Sequence, residues 1–271
     1  MFDGLKTALA VLIVAAAEIY AQSPAIGPTS GGFEVATIKP TAPDWRGGAY
    51  FTMQGGHRFV VRNYTLKSLV GAAWDLPTRL ISGGPTWVNG DHYDIVAETP
   101  GDIRRNVDEQ MSMLRALLVD RFQLTFHREQ KELPIYTLTV ANSGSKIKKS
   151  DGQPPDGRPA LVFRLFPERR ALLPVRDATM AEFASVLQHG PVDRPVVDKT
   201  ALSGRYDFDL DWAPNEDEFG GMMSARPPLS DDSAKPDLFA AVQQQLGLRL
   251  LATRGPVETF VIDKAEHPAE N

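Results

Sequence analysis

Apolar and polar positions along the 271-residue chain switch period several times, and the switches come in the same order twice. The first series opens with two short apolar runs, Tyr50 to Gln54 and Arg58 to Arg62. The second opens with Leu161 to Phe166 and Ala171 to Arg176. Helix spacing follows in each: Leu66, Leu69, Val70 and Ala73, then Met180, Phe183, Ala184 and Leu187, at i, i+3, i+4 and i+7. Next comes a strand that begins Tyr-Asp, at Tyr93-Asp94 and at Tyr206-Asp207. A second amphipathic helix carries Met113, Leu114, Leu117 and Leu118 in one series and Leu238, Phe239, Val242 and Leu246 in the other. Alternating strands at residues 122–126 and 248–252 come after these helices. Proline-led strands at residues 134–140 and 256–262 close the two series.

This order predicts an α+β fold of two ββαβαββ pseudo-repeats, residues 33–141 and 160–271, in mostly antiparallel sheets with helices packed on one face. Residues 142–159, rich in Gly, Ser, Pro and Lys, read as the linker between them. Two short helices per unit cover little of a sheet, so the pattern favours one pseudo-symmetric body with a shared core over two separate domains. Residues 33–40 alternate as an opening strand that Pro40 ends. A polar insertion at residues 214–236 reads as a flexible flap.

Composition changes the picture at the N-terminus. Lys6 precedes an apolar run from Ala8 to Ala17, and Ala21 offers a cleavage site, so residues 1–21 read as a signal peptide. The expected location is exported, periplasmic or extracellular. Contact with a membrane is expected only through this segment, should it remain uncleaved. With no cysteine, a disulfide framework, a thiol nucleophile and thiolate metal sites are excluded. A net charge of −5 gives no electrostatic footprint for nucleic acid.

Candidate chemistry is sparse. Asp207, Asp209 and Asp211, followed by Glu218, mimic the spacing of a calcium-binding loop, but Trp212 stands where that loop needs glycine. Phe208, Leu210 and Trp212 alternate with the carboxylates, as on a half-buried strand, which leaves the three aspartates as weak metal candidates only. The five histidines lie far apart without metal-ligand spacing. Ser143 and Lys146 share the spacing of a serine-lysine catalytic pair but fall in a Gly/Ser loop, and Gly83-Gly84 reads as a turn. Trp74 falls within a helix-period segment and reads as core. Trp45 and Trp87, in loop-like surroundings, are the ligand-binding candidates, with the insertion at residues 214–236 as a further rim.

Several phrases then become recognisable together: residues 33–40, Gly83-Gly-Pro-Thr-Trp87, residues 113–122, Val197-Asp-Lys-Thr200 with Gly204-Arg-Tyr-Asp207, and the terminal His267-Pro-Ala-Glu-Asn271. In that combination the chain resembles a soil-associated family of uncharacterised exported proteins abundant in Acidobacteria. The resemblance implies export and brings no catalytic residue with it. In some members a similar region is joined to a sensor peptidase of the antibiotic-receptor type, which implies a sensory or ligand-binding role. The expectation is therefore a non-catalytic module for an unknown envelope ligand or protein partner, without cofactor. The alternatives are such a sensory domain, or a hydrolase working through Asp198, Asp207 and Asp209.

Overall fold

The computed structural model describes residues 31–101, 105–152, 160–225, 227 and 235–269. The signal segment at residues 1–21 lies outside these, as do residues 226 and 228–234 of the insertion. The fold is α+β. One antiparallel sheet has the order β1 (Val35–Pro40), β5 (His92–Glu98), β3 (Arg58–Thr65), β2 (Tyr50–Gln54). A second has β7 (Lys148–Lys149), β12 (Tyr206–Trp212), β10 (Ala171–Ala178) and β8 (Ala160–Leu161), with β9 (Arg164–Leu165) also on β10. The third is ordered β11 (Val196–Asp198), β6 (Thr125–Val140), β13 (Leu248–Lys264), β4 (Ile81–Gly83).

Each helix begins where a side-chain oxygen can serve its exposed amides. Thr65 caps α1 (Leu66–Trp74), and Asp237 caps α4 (Leu238–Leu246). Asn106 with Glu109 and Thr179 with Glu182 form reciprocal capping boxes on α2 (Val107–Arg121) and α3 (Met180–His189). Among the described residues no helix is long and apolar enough to cross a membrane.

The Tyr-Asp strands do the same job in both halves. In the first, the β3–β5 ladder slips between Val61 and Tyr64, leaving Asn63 at φ 59°, and Asp94 accepts the Asn63 N–H at 3.0 Å. In the second, β10–β12 slips between Val175 and Ala178, leaving Asp177 at φ 51°, and Asp207 accepts the Asp177 N–H at 2.8 Å. A bulge leaves one residue unpaired and often in a left-handed conformation. Here the second residue of the Tyr-Asp pair supplies that residue's hydrogen-bond acceptor.

Three expectations need correction. The strands predicted at residues 122–126 and 134–140 are not two strands: Phe122 ends α2, Gln123 turns at φ 48°, and β6 runs unbroken through Pro134. Likewise β13 runs unbroken through Pro256. The prolines fit because β11 meets β6 only at residues 136–138 and β4 meets β13 only at residues 260–262. Along the stretch between, the ribbon is two-stranded, and proline's missing N–H falls where an outer edge is open. Second, the connection after residue 142 is more than a linker, since Lys148 and Lys149 extend the second sheet as β7.

Third, the core is not one cluster but two. Leu66, Leu69, Ile95, Leu114 and Leu118 build the first, with Phe260 and Ile262 supplied by β13. Leu173, Phe183, Leu210, Trp212 and Val242 build the second, with Leu138 supplied by β6. The strand exchange is reciprocal: β4 lies parallel to β13, and β11 lies parallel to β6. Each half thus completes its core with a strand from the other.

Candidate ligand-binding site

Where β1 ends, Thr41 is tied to β5 by its N–H to the His92 carbonyl (2.8 Å) and by its hydroxyl to Asp94 (2.8 Å). Asp94 also pairs with Arg62 at 2.5 Å. Burial pushes the Asp94 carboxyl upward, but bonds from Asn63, Thr41 and Arg62, together with the Arg62 charge, outweigh it and hold the group below its ordinary value. The carboxylate that braces the bulge therefore also fixes the start of the following loop. That loop turns through Trp45, whose N–H bonds the Ala42 carbonyl at 2.9 Å. The indole lies so close to Gly47 that a Cβ there would sit 2.2 Å from it.

The C-terminal tail approaches from the other side. Glu266 N–H bonds the Phe122 carbonyl at 2.7 Å, which sets His267 face to face with Trp87, ring centroids 4.1 Å apart. The His267 Nδ1 lies 2.9 Å from the Tyr93 hydroxyl and 3.9 Å from an Asp91 oxygen. Burial, with the Asp91 charge second, pushes Tyr93 up to about 12, so at neutral pH its oxygen keeps its proton. That hydroxyl is then a donor to an unprotonated Nδ1, or an acceptor from a protonated one.

Between the loop and the tail lies an open cavity of about 600 Å³, walled by Pro40 to Pro43, Trp45, Asp91, His92, Tyr93, His267 and Pro268. Its size is in the range of small-molecule sites. The wall offers one indole face, two imidazoles, hydroxyls and, among the described residues, a single carboxylate. Such a set can stack against a ring or a planar amide and exchange hydrogen bonds with hydroxyls and amides. Paired-carboxylate catalysis would need a second acid.

Of the two tryptophans singled out in the sequence, Trp45 lies on the wall and is 36 % exposed. Trp87 stands behind it: half buried against the core, it carries His267 on its face and packs near Tyr93 and Phe122. No described residue of the insertion at 214–236 lines this cavity. Instead Glu218 folds under Trp212, accepting its indole N–H at 2.8 Å, and Phe219 stacks alongside. Two histidines distant in sequence, His92 and His267, do meet at one cavity, which sequence spacing alone conceals. The single earlier signal for His267 was its place in the terminal phrase.

The acidic candidates are separately engaged. Asp207 serves the Asp177 bulge, Asp209 pairs with Arg176 at 2.8 Å, and Asp211 pairs with Arg170 (2.9 Å) and Lys235 (2.8 Å). Burial raises Asp211, yet the two cations outweigh it and hold it low. Asp198 accepts from the Thr200 N–H and hydroxyl. Among the described residues no group of three His, Asp or Glu side chains is placed to hold a metal ion. Lys146 donates to the Gln244 carbonyl at 2.7 Å, in a loop and not at a helix start.

A family model described as "Protein of unknown function (DUF3738)" matches residues 67–265. The chain belongs to the DUF3738 family. No curated protein and no solved structure matches it. The DUF3738 match takes in Asp91, His92 and Tyr93 of the cavity wall, and Trp87 behind it. Trp45 and His267, which close it on either side, fall outside the matched residues.

Proposed function

We propose that this DUF3738 protein is an exported, envelope-associated binding module that takes a small saccharide or peptide ligand in the Trp45 cavity. The observation that carries the reading is the convergence of three segments distant in sequence, residues 40–45, 91–93 and 267–268, around one open space of about 600 Å³. A ring or amide plane lies on Trp45, while Asp91, His92 and Thr41 hydrogen-bond its polar edge. Export is supported by the Lys6, Ala8 to Ala17 and Ala21 pattern, and placement with the soil-associated, acidobacterial proteins by the phrases quoted above. The location follows as periplasmic or extracellular.

The test is a thermal-shift and tryptophan-fluorescence screen of the chain from Gln22 onward against peptidoglycan fragments, oligosaccharides and peptides. A ligand that binds the folded state raises the melting temperature in a dose-dependent way. Trp45→Ala should abolish that shift while leaving the unliganded melting temperature in place. A ligand whose binding survives both Trp45→Ala and His267→Ala, or silence across all three classes, would overturn the reading.

A further inference from the structure

A second cavity, about 610 Å³, lies between α1, the start of α2 and the end of α3. Two guanidinium groups line it. Arg79 donates to the Gln188 carbonyl at 2.7 Å and Arg115 to the Ala73 carbonyl at 2.6 Å. Neither has a carboxylate within ion-pair distance among the described residues. A single carbonyl uses one of five N–H donors, so each group is oriented by the protein but not neutralised. Arg79 is exposed, yet its guanidinium is pressed below its ordinary value, burial outweighing the Asp193 charge. Both facts suit a cation on a cleft wall, which water reaches while protein surrounds it.

The cavity also has an apolar lining. Phe51 and Val107, among the most exposed large hydrophobic residues of the protein at 45 % and 48 %, both line this cavity, beside Tyr64 and Met111. Two carboxylates are also present. Asp75 is held by the Ser185 hydroxyl at 3.3 Å and lies 3.6 Å from His189 Nε2, while Asp108 sits in the first turn of α2, where the helix dipole favours it. This Ser-His-Asp group is not a nucleophilic triad, because His189 Nδ1 is engaged by the Ser185 carbonyl at 2.8 Å and Asp75 touches both other members.

We propose that this cleft binds an amphipathic monocarboxylate, its carboxylate forked by Arg79 and Arg115 and its apolar arm laid against Phe51, Val107 and Met111. Arginine presents two parallel N–H groups that match a carboxylate. Asp75 and Asp108 select a single negative charge over a doubly charged phosphate, since like charges in one site repel. The apolar arm covers surface that otherwise faces water.

The test is calorimetric titration of the chain with octanoate, with octanol and inorganic phosphate as controls. Octanoate binds saturably, and octanol and phosphate bind at least about tenfold more weakly. Arg79→Gln lowers octanoate affinity by about tenfold or more with the melting temperature unchanged, and Phe51→Ser lowers it independently. Trp45→Ala leaves it intact, which separates this site from the first. Octanol binding as tightly as octanoate, phosphate binding more tightly, affinity indifferent to Arg79→Gln and Phe51→Ser, or no saturable octanoate binding would each overturn the proposal.

Discussion

The two halves of the molecule use the same bulge, the same pair of helices and the same exchanged strand, yet they finish differently. In the first half Asp94 collects three partners, Asn63, Thr41 and Arg62, and both large cavities open beside that half. In the second, Asp207 serves its bulge, and the start of the insertion packs Glu218 and Phe219 around Trp212 together with Phe163. Among the described residues, two cavities thus open beside the first half, while in the second the start of the insertion packs onto Trp212. The contrast shows the bulge and the strand exchange recurring in both halves while the loops beside them differ.

The largest effect tests the exchange itself. Phe260 belongs to the second half in sequence but to the first core in space, and Phe260→Ala should cost about 3–5 kcal/mol in urea denaturation. Amide exchange should quicken around Leu69 and Ile95 before it does around Leu173. Equal loosening of both cores would remove the distinction between them.

Next come the turns that end α2 and α4. Both are left-handed, but Gln123 stands at one and Gly247 at the other. A Cβ at Gly247 would meet the Gly144 carbonyl at 2.1 Å, so Gly247→Ala should cost about 3 kcal/mol or more. Gln123→Gly should change stability by less than about 1 kcal/mol. Similar losses at both would show that the two helix ends are not packed differently.

A smaller contrast concerns the bulge carboxylates. Asp94→Asn breaks a part-buried ion pair and two further bonds and should cost about 2 kcal/mol, whereas Asp207→Asn should cost about 1. The smallest effect is a matter of pH. The Asp94 value is depressed in the folded protein, so its contribution is present above the ordinary carboxylate value and is lost as pH falls through the lowered one. Glu218 is raised, first by burial, so its contribution is fully present below its ordinary value near 4.5 and is lost as pH rises through the raised one. Acid should therefore remove two contributions, at Asp94 in the first half and at Asp211 in the second, and as a second, opposite trend relieve the buried Glu218. Glu218→Gln should flatten the second trend in a pH series of melting temperatures, and an unchanged profile would count against it.

Much of the frame was legible in the chain. The helix faces at Leu66, Leu69 and Val70 and at Met180, Phe183 and Ala184 are buried as their spacing requires, and the Tyr-Asp strands fall in place. Pro134 and Pro256 misled, because proline reads as punctuation unless the absence of a third strand beside it is known. The three-residue strands β4 and β11 carry too few positions for any period to show, and their partners lie in the opposite half. Trp45 could be singled out from its loop setting, but the meeting of His92 with His267 is purely tertiary. Arg79 and Arg115 carried no signal at all, since a lone arginine on a helix or turn looks the same whether or not a carboxylate waits for it.

The exchanged strands also set an order of events in time. Ile81 and its neighbour Phe260 lie far apart in sequence, so β4 stays without its partner until everything between them has been synthesised. Contacts this far apart in sequence are slow to close. β11, by contrast, pairs with a strand already made. The second half can pair its exchanged strand β11 as it appears, whereas β4 of the half that bears both cavities must wait for β13. In a pulse-labelling experiment on refolding protein, protection at Ile81 to Gly83 should arrive with that of Phe260 to Ile262 and after that of Val196 to Asp198.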